Sequence, residues 1–251
     1  MPKTSTALLL GVMLTVLPIA VNAEASVNLC FENRDNSPYI LSDSTGMLIE
    51  LVNRASEQAG IAVHYHPLPW KRCLTMVEQG GIDGALALVW NQDRQARFAY
   101  PLNAAGKVDR QRRIWQGEYL IMLPARSPVQ WDGKQFSHLE GGMASPLGYA
   151  SSEKLRSLNA FAFDSPPDKG LLLVSKNRLP GYVVQKEIGF KNLQSLGIEK
   201  QVKVLPIPFM TEDWYLVFSS DLLLSQPQLT ARLWAAVARE RIRLQSGKST
   251  P

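Results

Sequence analysis

The feature that most constrains this chain is the alternation of short apolar runs with helix-period segments between residues 27 and 89. Val27 to Phe31 reads as a strand. Met47, Leu48, Leu51, Val52 and Ala55 then recur at helical spacing until Gly60 stops the helix as a left-handed cap. Ile61 to His66 follows at once as a second strand. Pro69 opens a helix in which Trp70, Cys73, Leu74 and Val77 fall at i, i+3, i+4 and i+7, and Gly80-Gly81 ends it. Ile82 to Val89 is a third, buried strand. Strands joined by helical crossovers form a parallel sheet, and ligands of such sheets gather outside the carboxyl ends of the strands. The chemistry is therefore expected in the loops after Phe31, Tyr65 and Val89.

The pattern begins again in the middle of the chain. Tyr119 to Leu123 is a strand, Trp131-Asp132-Gly133 a turn, and Gly142 to Ser145 a strand that runs into Pro146-Leu147-Gly148-Tyr149 and a helix from about Ser151. Asp164-Ser165-Pro166-Pro167 marks another helix entry, with Ser165 or Asp164 as cap, and Tyr182 to Gln185 a strand. The tail holds a strand, Trp214 to Phe218, and an amphipathic helix around Leu229 to Ile242, whose Leu233, Trp234, Val237 and Ala238 need a sheet to cover. The fold class is α/β, in two small units. Hydrophobic residues at 45% and charged residues at 20% exclude collagen-like, coiled-coil and wholly disordered alternatives. The net charge of +5 is spread along the chain without a basic run, which argues against a nucleic-acid partner.

The first residues set the compartment. Lys3, the apolar stretch Ala7 to Ala20 and the small residues of Val21-Asn22-Ala23 make residues 1–23 a signal peptide cleaved after Ala23. The apolar stretch is too short to span a bilayer, and no cysteine at the cleavage site offers a lipid anchor. In an oxidising compartment the two cysteines pair. Cys30 ends the first strand and Cys73 lies one turn into the helix after the adjacent strand, so the two meet beneath the carboxyl edge of the sheet. The alternative is two buried free thiols.

The run Pro69-Trp70-Lys71-Arg72-Cys73-Leu74, then Gly80-Gly81-Ile82-Asp83-Gly84, Asp93-Arg94 and Tyr100-Pro101, resembles the first lobe of the bacterial extracellular solute-binding proteins of family three. The resemblance continues through Asp109-Arg110 to Arg113, Trp131-Asp132-Gly133 and Gly148-Tyr149. It implies a two-lobe, hinge-connected periplasmic-binding-protein-like fold of type II, each lobe a mainly parallel sheet flanked by helices. It also implies lobe one over residues 24–117, lobe two over 118–203, and a return to lobe one over 204–251, with chain crossings between Arg113 and Leu120 and between Val202 and Pro208. The implied function is periplasmic capture of a small polar, carboxylate-bearing ligand, an amino acid or derivative. The implied partners are that ligand and a membrane permease of the ABC type or a sensor receptor, with the protein itself a monomer and no cofactor or metal.

A binder of a small anion or zwitterion must surround it with fixed donors, because a buried carboxylate is costly unless paired. Arg94, just past a buried strand end, sits where the family holds the ligand carboxylate; without the resemblance it is a solvated arginine at a helix start. Trp70 matches the family's aromatic wall, with a core tryptophan as the plain alternative. Glu32 is placed to accept from a ligand amine, and Tyr39 lies in the same polar loop. Gly148 and Tyr149 offer close backbone approach and free amides before a helix. Two departures count against an α-amino acid: Ala87, Leu88 and Val89 stand where relatives carry hydroxyls, and Gln185 stands near their aspartate. An exported dehydratase-type lyase on the same fold is the alternative, with Glu32 as its one plausible acid. His64 and His66 share a strand face and His138 lies in a polar loop, too few for a metal site or a triad.

Overall fold

The computed structural model describes residues 25–247, so the leader and its cleavage after Ala23 lie outside the described residues. β1 (Ala25–Glu32), α1 (Met47–Ala59), β2 (Ile61–Leu68), α2 (Trp70–Glu78) and β3 (Gly84–Val89) form the first α/β unit in the order that the periodicity requires. β1 pairs in parallel with β2 along its whole length and with β3 through Leu29 and Cys30. Gly60 closes α1 in the left-handed region at φ 63°, donating its N–H back to Glu57. A four-residue α3 (Gln92–Gln95) follows β3.

The chain then runs along β4 (Trp115–Pro124) into the second unit. This contains a β5 (Gln130–Trp131) and β6 (Phe136–Ser137) hairpin, β7 (Met143–Ser145), α4 (Ala150–Ser157), β8 (Phe161–Asp164), α5 (Pro167–Ser175), β9 (Tyr182–Gln185), α6 (Lys186–Leu196) and β10 (Val202–Val204). The return is made by β11 (Met210–Phe218), α7 (Ser220–Ser225) and α8 (Pro227–Gln245). One sheet carries everything except the hairpin, in the order β2-β1-β3-β11-β4-β9-β7-β8, with β10 added to β4. The outer strands of each unit are parallel to one another, while β11 and β4, paired Met210 to Tyr119 and Trp214 to Trp115, run antiparallel between them. Two lobes thus share two adjacent connecting strands. The segment 205–209 lies between β10, which pairs with the far end of β4, and the start of β11.

The helix entry at Pro167 is where expected, but neither Ser165 nor Asp164 caps it. Pro166 occupies the cap position, and the Asp164 carboxylate is drawn to Ser152 Oγ at 3.0 Å and Arg156 at 3.3 Å. On α8, Leu233, Trp234, Ala236 and Val237 are the buried face, and Trp234 Nε1 donates to the Leu216 carbonyl at 2.8 Å beneath it. Ala236 takes the place expected of Ala238.

Cys30 and Cys73 are joined in a disulfide with a Cα separation of 5.7 Å, both fully buried. They lie in a cluster with Val77, Ile82, Leu88, Phe98, Tyr100 and Tyr215, so the bond pins α2 to the centre of the lobe-one sheet just under the strand ends.

Candidate functional site

The carboxyl ends of β1 and β3 face the start of α4 and the end of β9. Between them lies a cavity with about 590 Å³ of empty volume, counting its open mouth. Six of the residues singled out from the sequence line it: Glu32, Tyr39, Trp70, Arg94, Tyr149 and Gln185. Gly148 stands just behind Arg94. Trp214 and Tyr119, from the two connecting strands, complete the floor, with the indole N–H donating to the Tyr119 hydroxyl at 3.1 Å.

Arg94 is placed by its own backbone. Asn91 caps α3, its Oδ1 accepting the Arg94 N–H at 2.7 Å, which fixes the side chain over the end of β3. The residue is buried, at 6% exposure. Nη1 donates to the Val89 carbonyl at 3.0 Å, while Nη2 donates to the Gly148 carbonyl at 3.1 Å and to Glu153 Oε1 at 2.6 Å. The Val89 carbonyl also accepts from the Tyr100 hydroxyl at 2.9 Å. Glu153, on α4, takes a further bond from Asn91 Nδ2 at 2.8 Å. It is therefore the Gly148 carbonyl, together with a carboxylate of lobe two, that meets Arg94. Gly148 has φ +78°, and a Cβ there would stand 3.3 Å from Trp70 Cδ1, so glycine is what allows the loop to lie against the indole.

Glu32 ends β1 with its side chain 15% exposed. Its Oε2 accepts from the Tyr149 hydroxyl at 2.5 Å and from Asn36 Nδ2 at 3.1 Å, a second joint between the lobes. Burial, with the Glu32 charge beside it, holds the Tyr149 phenol well above its ordinary pKa, so it remains a donor at neutral pH. Tyr39 is buried at 4% exposure despite its polar loop. Its hydroxyl donates to Glu187 at 2.9 Å and accepts from Gln185 Nε2 at 2.9 Å. Burial first, and Glu187 second, raise its pKa too. Gln185 is fully engaged: Oε1 accepts the Ile188 N–H at 3.0 Å as the cap of α6, and Nε2 also meets Glu187.

At Ala87, which lines the cavity, β3 takes φ +65°, and the pairing with β11 slips between Tyr215 and Val217. Such a bulge turns backbone toward a site at a cost in strain. Among the described residues no group of three His, Cys, Asp or Glu is placed to hold a metal. His66 is instead bonded to Asn28 at 2.9 Å.

Glu153, Tyr119, Trp214 and Asn36 escape the sequence reading. An acid in a first helical turn is ordinary dipole chemistry, and nothing in the spacing pairs it with Arg94, 59 residues away. Asn91 did carry a signal, as an asparagine directly before a short helix.

No protein-family model matches the chain, and no curated protein does. Solved structures do. A histidine kinase sensor domain with similarity to periplasmic binding proteins is 16% identical with a TM-score of 0.68, over 88% of this chain and 91% of that one. The GluR0 ligand-binding core from Nostoc punctiforme, in complex with L-glutamate, is 13% identical at 0.65, over 89% and 93%. The arginine-, lysine-, histidine-binding protein ArtJ from Geobacillus stearothermophilus is 12% identical at 0.66, over 90% and 96%. Likenesses of this extent over nearly whole chains establish the fold as the two-lobe, type II periplasmic-binding-protein-like architecture.

Proposed function

We propose that this is an exported solute-binding protein that closes its lobes on a small polar ligand, for uptake through an ABC-type permease or for presentation to a membrane sensor. The observation that carries the reading is the cavity itself. Groups fixed on lobe one, Glu32 and Arg94, reach across it to Tyr149, Gly148 and Glu153 of lobe two, so the site is complete only when the lobes are together. A pair of connecting strands suits such a motion, and we take residues 24–117 with 204–251 as one rigid lobe and 118–203 as the other. The similar structures support both fates, being named as a transporter's substrate-binding protein, a ligand-binding core and a histidine kinase sensor domain. Those names, and a Glu32 held by two donors, give the lyase alternative no support. No described helix is long and apolar enough to cross a membrane.

Mass spectrometry of small molecules carried through purification identifies a solute. Small-angle scattering with and without that solute should then show a smaller radius of gyration with it. An unchanged radius across saturating concentrations would remove the closure mechanism.

A further inference from the structure

Arg94 has the reach of a carboxylate clamp but no free pair of parallel donors. A guanidinium grips a carboxylate with two parallel N–H groups, either Nε with Nη2 or Nη1 with Nη2. Both forks use Nη2, and both Nη2 hydrogens are taken, one by the Gly148 carbonyl and one by Glu153. A carboxylate already sits on Arg94, and it belongs to the protein. With Arg94 paired to Glu153, Glu32 is the remaining acidic side chain among the described residues of the cavity wall. Its Oε2 is satisfied by Tyr149 and Asn36, while Oε1 accepts no hydrogen bond among the described residues, its nearest cation being Arg34 at 3.9 Å.

Apart from the Asn36 and Gln185 amides, the rest of the wall is mostly ring and hydrocarbon. Trp70, Trp214, Tyr119 and Tyr149 line it with aromatic rings, beside Leu86 and Ile188. A carboxylate oxygen among rings selects for a positive charge, since ring faces attract cations and a buried anion needs one. An outer cleft that shares Glu32 and Trp70 with the cavity has the same sign, with Glu32, Asp35 and Asp168 against Arg34 and Lys71, while Asp164 is paired with Arg156.

We propose that the cavity takes an amine with an aromatic or apolar body and no carboxylate, and that Glu153 sets this preference by occupying Arg94 in the ligand's place. The proposal rests on the binding-protein reading above. Gln185, with both ends of its amide engaged, and Ala87, without a hydroxyl, fit the same conclusion, for neither offers a partner to an α-amino acid head group.

Three probes share one ring and separate the charges: phenethylamine, phenylalanine and phenylacetate. In calorimetric titrations of the mature chain, phenethylamine should bind roughly tenfold or more tightly than phenylalanine, and phenylacetate not measurably. Glu32→Gln should weaken phenethylamine by roughly tenfold or more, because it removes the charge at unchanged shape. Glu153→Gln, which keeps the shape of the side chain but removes its charge from Arg94, should narrow the gap by improving phenylalanine. The proposal is overturned if phenylalanine or phenylacetate binds more tightly than phenethylamine, if none of the three binds, or if Glu153→Gln leaves the amine-to-amino-acid ratio where it was. In each of those cases, closure in scattering on a co-purified solute would still uphold the binding-protein reading, so the two fail separately.

Discussion

Lobe one and lobe two meet at the same cavity with different equipment. Lobe one brings the charges and the large ring, Glu32, Arg94 and Trp70, from strand ends and helix starts fastened to a cross-linked core. Lobe two brings short answering groups: a glycine carbonyl, a tyrosine hydroxyl and a carboxylate on a helix of eight residues. Its parallel strands are three or four residues long, against six to eight in the parallel set of lobe one. The difference teaches where rigidity is needed. On the closing motion proposed above, recognition groups that must not drift stand on the stapled lobe, while the lighter lobe would swing on β4 and β11 to complete the enclosure.

The comparison breaks most visibly if the staple is cut. The disulfide closes a loop with a sequence separation of 43, and the chain-entropy relation puts the stabilisation of such a loop at about 4 kcal/mol. Cys30→Ala with Cys73→Ala should lower unfolding free energy by about that amount in urea titrations followed by tryptophan fluorescence. A loss below about 1 kcal/mol would mean that lobe one is held by packing alone and that the contrast in rigidity is smaller than drawn.

Next in size is the buried arginine against its exposed neighbour. Arg94→Ala deletes donors to the Val89 and Gly148 carbonyls, and hydrogen bonds from a charged group are worth about 1.5–3 kcal/mol. Arg97 pairs with Glu78 on the surface, with side chains 48% and 36% exposed, where such pairs give about 0–1 kcal/mol. Arg94→Ala should cost about 2 kcal/mol or more and enlarge the unliganded protein in scattering, whereas Arg97→Ala should do neither. Equal costs would place the inter-lobe latch elsewhere.

Much of the architecture was legible because its period was long and its punctuation strong. Gly60, Pro69 and the apolar stripe of α2 give boundaries that the structure keeps, and the disulfide follows from putting Cys30 and Cys73 at one sheet edge. β8, with an exposed Phe163, and β10, only three residues long, carry too little pattern to be seen. α6 hid because it starts directly after Gln185 with no turn residue between. At the site, the family resemblance pointed to Glu32, Trp70 and Arg94 on lobe one and to Gly148, Tyr149 and Gln185 on lobe two. Their partners depend on which loop of the other lobe folds against them, and a pairing between Arg94 and Glu153 is a tertiary fact without a spacing of its own.

A smaller effect sharpens the contact between lobes. Gly148 holds φ +78° with Trp70 close by, so a methyl group meets both backbone strain and the indole. The left-handed conformation costs a non-glycine residue about 1–2 kcal/mol. Gly148→Ala should lower the midpoint of thermal unfolding accordingly and weaken ligand binding, since the loop must retreat from Trp70. Stability and binding both unchanged would show that the loop has room that the closed arrangement does not display.

The smallest expected effect tests the other fastening of lobe one, the packing of α8 on α1. Glu240 is 1% exposed, accepts from Arg243 Nε at 3.0 and 2.9 Å, and is reached by Gln58 of α1 at 3.4 Å. Hydrogen bonding from the Arg243 guanidinium holds its carboxyl below the ordinary value of 4.5. A carboxyl depressed in the folded state binds its proton more readily when unfolded, so its contribution is present in full above about 4.5 and is lost as pH falls through the depressed folded value. Glu240→Gln should therefore destabilise by on the order of 1 kcal/mol at neutral pH. The gap between variant and wild type should close as the pH of thermal unfolding experiments is taken from 7 down to about 3. A gap that persists or widens at low pH would mean that the carboxylate charge is not what fastens α8, and that its apolar face over the sheet carries this side of lobe one alone.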